Sequence, residues 1–298
     1  MTCTEFQARP APSVSISRHP KPASLPSLAG LIVGFSLCAV QPAWTHGDSH
    51  ERIEALSEQL KQQPESAPLY LRRGQLHRQE GRWDAALKDF ERAIELDSEL
   101  DEAVLMRGLT LLDARSPTAA IAALDSFLAR SPSHHVALLT RARAWASLGA
   151  GHAAASDFSR VLAQRPSADL YVERARALAS MGAGYMDEAL RGLDEGIAAL
   201  GPNVVLIDVA VELELARGEP EKALERLAQR TGEAASPESE MRRGEILEQN
   251  GRVAEALAAY KQARQALAKR ALVRRHTRAA SELDNRLHAA FERLGVRD

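Results

Sequence analysis

The sequence predicts an all-α fold: an α-solenoid of stacked antiparallel helix–turn–helix repeats with a capping helix at each end. Two features of composition favour helices over sheet, since aromatic residues are only 4% of the chain and the apolar residues are mostly alanine and leucine. The third observation is a pattern of small and large apolar residues that recurs about every 34 positions from residue 67. A period of this length is typical of proteins that stack one helical hairpin on the next.

Composition and charge exclude several classes of protein. With 26% charged and 45% hydrophobic residues, the chain of 298 residues is not a wholly disordered, collagen-like or polytopic membrane protein. Its 38 basic and 40 acidic residues nearly balance, and the net charge is −2. This balance gives no strong electrostatic case for binding nucleic acid or an anionic membrane surface.

Residues 1–45 are predicted to be a signal peptide with its cleavage region. Arg18 and Lys21 precede an uncharged stretch at 22–45, which contains the apolar run 28–40. Thirteen apolar residues are too few for a bilayer core that needs about 20, so an uncleaved anchor is disfavoured. The expected location is periplasmic or secreted, with no stable membrane span after cleavage, and an organelle transit peptide is an alternative.

The cleavage site stays open between Ala43 and Thr45. The residues ending at Cys38 resemble a lipoprotein signal, but Leu37 stands where a small residue is expected, which disfavours a lipid anchor at Cys38. The other cysteine, Cys3, also lies in this segment. The exported chain therefore has no cysteine for a disulfide or a thiolate metal site.

Residues 46–66 are predicted to be a leader and a half-repeat capping helix, which ends at Pro64 and carries Ile53, Leu56 and Leu60 on one face. A cut after Ala43 would also put His46 third from the new amino terminus, an arrangement that can bind Cu(II) or Ni(II). His46 and His50 are thus weak metal candidates, and the alternative is a frayed polar leader.

Three units at 67–100, 101–134 and 135–167 share the same residue types at the same places, counted from the first residue of each unit. Place 8 is occupied by Gly74, Gly108 and Ala142. Place 20 is occupied by Ala86, Ala120 and Ala154. Place 24 is occupied by Phe90, Leu124 and Phe158. Small residues at places 8 and 20 let two helices approach closely, and the larger residue at place 24 fills the space between them. Ser98, Pro132 and Pro166 close the units.

The first unit resembles the tetratricopeptide repeat family at Tyr70, Gly74, Gly81, Trp83, Asp84, Ala86, Phe90, Ala93, Leu96 and Asp97. The resemblance extends over roughly residues 51–267. Further units are expected at 168–203, at 204–236 in degenerate form, and at 237–267.

Two of these further units depart from the family pattern. In 168–203, Ala189 and Leu193 arrive two residues late, which predicts a longer turn between its helices, and in 204–236 Val211 stands where a small residue is expected. Residues 268–298 are expected to form a basic linker and a capping helix.

No nucleophile motif, phosphate loop or paired-histidine helix is present in the sequence, so no catalytic residue and no cofactor is predicted. The resemblance instead implies that the first helix of each repeat lines a concave groove for a protein or peptide. Places 5 and 9 give the candidate groove residues Leu71, Leu105, Leu139 and Val172, and Gln75, Leu109, Arg143 and Arg176. The alternative for the leucines is packing between repeats.

The function hypothesis is a non-catalytic protein-interaction scaffold of the bacterial cell envelope. In that hypothesis the groove leucines contact apolar side chains of a peptide, and Arg143 and Arg176 contact its carboxylates or carbonyls. One alternative is an accessory or metal-trafficking protein that uses the leader at His46 and His50. Another is an enzyme.

Overall fold

The computed structural model describes residues 47–229, 236–273 and 277–295, and within these ranges the chain is almost entirely α-helical with no strand. The helices are α1 (Gly47–Gln62), α2 (Ala67–Gln79), α3 (Trp83–Leu96), α4 (Asp101–Asp113), α5 (Pro117–Arg130), α6 (His135–Ser147), α7 (Gly151–Leu162), α8 (Ala168–Ala179), α9 (Met186–Leu200), α10 (Val204–Ala216), α11 (Pro220–Ala228), α12 (Pro237–Gln249), α13 (Val253–Val273) and α14 (Arg278–Arg293). A 3-10 turn at Ala183–Tyr185 precedes α9.

The helices pack as consecutive hairpins. The pairs α2–α3, α4–α5, α6–α7, α8–α9, α10–α11 and α12–α13, here called repeats 1 to 6, each pack closely together, and the second helix of one repeat contacts the first helix of the next. Helix α1 packs on α2, and α14 packs on α13. The predicted all-α solenoid of helix–turn–helix repeats is therefore confirmed.

Packing at places 8, 20 and 24 explains why these helices associate. Ala86 and Phe90 of repeat 1 are fully buried. A Cβ atom on Gly74 would lie only 2.7 Å from the Phe90 ring, and one on Gly108 would lie 2.8 Å from Leu124. In repeats 1 and 2, glycine at place 8 thus lets the side chain at place 24 fit between the helices.

The turn between the two helices of a repeat uses a left-handed residue at place 15. Gly81, Gly149, Gly218 and Gly251 have φ between 73° and 79°, which glycine adopts without strain. Repeat 2 has Arg115 there with φ of 60°, a conformation that costs an L-residue about 1 kcal/mol or more. The turn geometry is thus preserved even where the glycine is absent.

Two repeats depart from the regular pattern. In repeat 4 the 3-10 turn accommodates the two extra residues. Ala189 and Leu193, which follow this turn in the sequence, are fully buried. In repeat 5, α11 has nine residues, and the larger Val211 at place 8 is buried with Ile207, Ala223 and Leu227. Both repeats therefore keep a hairpin core, with different side chains.

The C-terminal region differs from the sequence interpretation, which expected a basic linker to begin at residue 268. Helix α13 instead continues to Val273, and α14 begins at Arg278. The reason is local, because no glycine or proline interrupts 253–273 and most of its residues are good helix formers. None of the helices in the described ranges is both long and apolar enough to cross a membrane.

Candidate protein-interaction site

The place-5 side chains predicted to line the groove are mostly inside the protein. Leu71, Leu105 and Val172 are only 6%, 8% and 7% exposed, whereas Leu139 is half-buried. Leu71 lies in a cluster that includes Ala103 of the next repeat, and Leu105 and Val172 lie in the large cluster of repeats 2 to 5. The three side chains therefore pack between helices, as the alternative interpretation expected, and offer little surface to a peptide.

The place-9 side chains reach the surface and contact the following repeat. Gln75 donates a hydrogen bond of 2.8 Å to Glu102. The Arg143 guanidinium binds both carboxylate oxygens of Glu173, each at 2.8 Å. Arg176 lies 3.9 Å from Glu212, and Leu109 is half-buried against the core.

These residues form one surface, here called the first-helix face. It consists of the place-9 side chains, the half-buried Leu139 and the acidic partners of the place-9 side chains: Gln75, Leu109, Leu139, Arg143, Arg176, Glu102, Glu173 and Glu212. Its two leucines are half-buried and come from adjacent repeats, and its other members are polar or charged. Such a mixture can take both apolar and charged groups of a partner.

The Arg143–Glu173 pair is the best-defined polar group of the first-helix face. The hydrogen bonds that Arg143 donates to Glu173 raise the pKa of the Arg143 guanidinium above its ordinary value, so this side chain is charged at any physiological pH. Arg143 is 51% exposed and Glu173 is 32% exposed. Since an exposed pair contributes only about 0–1 kcal/mol to stability, a partner can replace either member at low cost.

The sequence analysis missed a series of arginines at place 7. In repeat 1, Arg73 binds Asp89 at place 23 through Nε and Nη2, at 2.8 and 2.6 Å. In repeat 3, Arg141 binds Asp157 in the same way, with both distances 2.7 Å. The signal was readable, because arginine recurs at place 7 in four successive units and aspartate follows 16 residues later in two of them.

The place-7 arginines also reach back to the preceding repeat. The Nη1 atom of Arg73 donates to Ser57 of α1 at 3.1 Å, and that of Arg141 donates to Asp125 of repeat 2 at 2.6 Å. Ser57 and Asp125 occupy equivalent positions, since each lies 16 residues before the arginine that it binds. Each arginine therefore joins three helices, and these contacts lie away from the first-helix face.

Nothing in the described ranges gathers three histidine, cysteine or acidic side chains as a metal site would require. His50 lies in α1 with its Nδ1 atom 3.3 Å from Glu54, whereas His46 lies outside the described residues. The predicted signal peptide with its cleavage region and both cysteines also lie outside them. His134 caps α6, since its Nδ1 atom accepts a hydrogen bond from the Ala137 amide.

Comparison with known families and structures agrees with this architecture. Family models described as "Tetratricopeptide repeat" match residues 67–100 and 105–169, and one described as "Tetratricopeptide repeat-like domain" matches residues 206–283. No curated protein matches the chain.

Two solved structures are similar to this chain. A tetratricopeptide repeat protein from Parabacteroides merdae ATCC 43184 is 18% identical, with a TM-score of 0.50 over 81% of this chain and 93% of that chain. YrrB, described as a TPR protein with an unusual peptide-binding site, is 18% identical, with a TM-score of 0.50 over 70% of this chain and 99% of that chain. Since identities this low show the fold alone, the family assignment depends on the sequence matches. With three family-model matches and six consecutive hairpins, the chain belongs to the tetratricopeptide repeat family.

Proposed function

We propose that this protein is a non-catalytic scaffold of the bacterial cell envelope, which holds a peptide or protein segment on its first-helix face. The family supports the general class, because tetratricopeptide repeats serve broadly as protein-interaction scaffolds. The observation that carries the proposal is that the first-helix face combines the exposed Arg143–Glu173 pair with the half-buried Leu109 and Leu139. The peptide-binding site named for the similarly folded YrrB is consistent with it.

Burial changes which residues would contact the partner. Leu71, Leu105 and Val172 are already packed between helices, so apolar side chains of the partner would rest on Leu109 and Leu139 instead. Acidic or carbonyl groups would bind Arg143 and Arg176, in competition with Glu173 and Glu212. The proposed ligand is therefore a segment that alternates apolar and acidic residues.

Selection from a random peptide library tests this site without a known partner. Peptides selected on the wild type should bind Leu109→Ser and Arg143→Glu about tenfold more weakly, because these changes remove an apolar contact and reverse a charge. Arg92→Glu is the matched control, since Arg92 is similarly exposed and paired with Glu95 on a second helix. Selected peptides that bind all three variants as tightly as the wild type would contradict the proposed site.

The envelope location needs its own test. A bacterial host producing the full chain with a C-terminal tag should release it on osmotic shock, and amino-terminal sequencing should find it shortened by about 43–45 residues. Recovery of the full-length chain from the cytoplasmic fraction would contradict export, and it would leave the peptide-binding proposal untouched.

A further inference from the structure

Repeats 2 and 4 lack the carboxylate that pairs with the place-7 arginine in repeats 1 and 3. Place 23 is Ala123 in repeat 2, and in repeat 4 the equivalent residue, after the two-residue insertion, is Gly192. Arg107 and Arg174 are nonetheless kept at place 7. In both arginines the Nε atom is buried and has no acceptor within the described ranges, whereas in repeats 1 and 3 this atom binds aspartate.

In repeat 4 the guanidinium of Arg174 lies against Gly192. A Cβ atom on Gly192 would be 2.9 Å from Nη2 and 3.2 Å from Nε. Arg174 donates hydrogen bonds of 3.1 Å to the Gly192 carbonyl and to Ser159, and one of 2.5 Å to Glu195. The arginine side chain is 11% exposed while Glu195 is 62% exposed, so Glu195 can swing away from a largely buried cation.

A cleft of about 340 Å³ opens beside Arg174, between α7, α8 and α9. This volume is within the range of small-ligand sites. Two carboxylates line the cleft. Glu195 faces Arg174, and Glu188 lies 3.9 Å from His152. Arg191 also lines the cleft, and it makes no hydrogen bond or ion pair with any described residue. Arg191 therefore has no counter-ion among the residues that the structure describes.

We propose that this cleft in repeat 4 binds a carboxylate, which Arg174 and Arg191 hold. The carboxylate belongs to an acidic peptide side chain or to a free organic acid. A guanidinium suits this ligand because its donors match the two carboxylate oxygens. The cleft shares no residue with the first-helix face, so either proposal can fail alone.

The Nε–H resonances of the arginines report directly on the site. The Arg174 signal, assigned with Arg174→Lys, is followed by NMR while acetyl-Gly-Glu-Gly-amide, acetyl-Gly-Gln-Gly-amide or succinate is added. We expect a saturable shift with the glutamate peptide or with succinate, and none with the glutamine peptide. The tighter of the two carboxylates identifies the source, whereas saturation by neither, or by all three, would overturn the proposal.

Two matched substitutions separate the cleft from a general charge effect. Gly192→Asp supplies an internal carboxylate and should weaken binding about tenfold or more. Ala123→Asp makes the equivalent change in repeat 2, away from the cleft, and should leave the titration unchanged. Equal weakening by both variants, or by neither, would overturn the proposal.

A third variant covers the case in which Gly192→Asp does not fold. Arg191 is exposed, so Arg191→Gln should leave the fold intact and weaken binding about threefold, as expected for one exposed ion pair. An unchanged affinity of this folded variant would exclude Arg191 from the site and overturn the proposed pair of guanidinium groups.

Discussion

Repeats 2 and 3 have the same kind of helical hairpin, but they differ in the contacts of the arginine at place 7. The residues at places 8, 20 and 24 are buried in both repeats. They are Gly108, Ala120 and Leu124 in repeat 2, and Ala142, Ala154 and Phe158 in repeat 3. Arg141 of repeat 3 binds two carboxylates, those of Asp157 and Asp125, whereas Arg107 of repeat 2 has no ion-pair partner in the described part of the chain. The apolar contacts are thus sufficient for the hairpin, and the ion pair is an addition that single repeats can lose.

The largest expected effect comes from breaking the pair in repeat 3. Arg141→Met leaves Asp157, whose side chain is 4% exposed, without its bidentate partner, and we expect a loss of about 3 kcal/mol in the free energy of unfolding. Arg107→Met is the matched change in repeat 2 and should alter that free energy by less than about 0.5 kcal/mol. Urea unfolding of the two variants measures both values, and equal losses would contradict the difference between the repeats.

A second prediction concerns the buried alanine at place 20, which repeats with and without the ion pair have in common. Ala86→Phe in repeat 1 and Ala120→Phe in repeat 2 each place a ring at a fully buried position, and each should cost about 1–3 kcal/mol through overpacking. Hydrogen exchange should show the loss spreading into adjoining repeats, because stability in such arrays is shared between neighbours.

Ala119→Phe is the control for this overpacking, since Ala119 is exposed next to Ala120 on the same helix. Its melting temperature should match that of the wild type. If Ala120→Phe melted at the wild-type temperature as well, the close approach of α4 and α5 at place 20 would be refuted.

The smallest expected effect is a pH dependence of the unfolding free energy, which distinguishes repeat 1 from repeat 3. His77 of repeat 1 lies 3.9 Å from Asp89, and its surroundings also contain Glu80, Arg73 and Arg82. Burial lowers the pKa of His77 from its ordinary value of 6.5. Below about pH 6.5 the unfolded chain therefore binds a proton that the folded chain resists, so this contribution to stability is lost as the pH falls towards the folded pKa.

His77→Gln should remove this part of the pH dependence. The measurement is the difference in unfolding free energy between the wild type and the variant, from pH 7.5 down to pH 5. We expect the wild type to lose stability relative to the variant below about pH 6.5, and a difference that is constant over this range would contradict the prediction. Repeat 3 has Trp145 at the equivalent place, so it makes no such contribution.

Sequence periodicity predicted the hairpins well because their packing is local. Places 8, 20 and 24 belong to two helices joined by a short turn, so residue size alone specifies their contact. The burial of the groove leucines was harder to predict, since Leu71 is buried in a cluster with Ala103 of the next repeat. Position within one helix does not show how closely the following helix approaches.

The sequence by itself determined the helical class, the repeat length and the close contact of paired helices, because these follow from residues within one turn or one hairpin. Only the tertiary structure decided which charges of neighbouring repeats meet. Arg143 and Glu173 are 30 residues apart in the chain, and Arg174 fills the space above Gly192 because no side chain occupies it. Pairs such as Arg143–Glu173 form between repeats, so they depend on how successive hairpins stack.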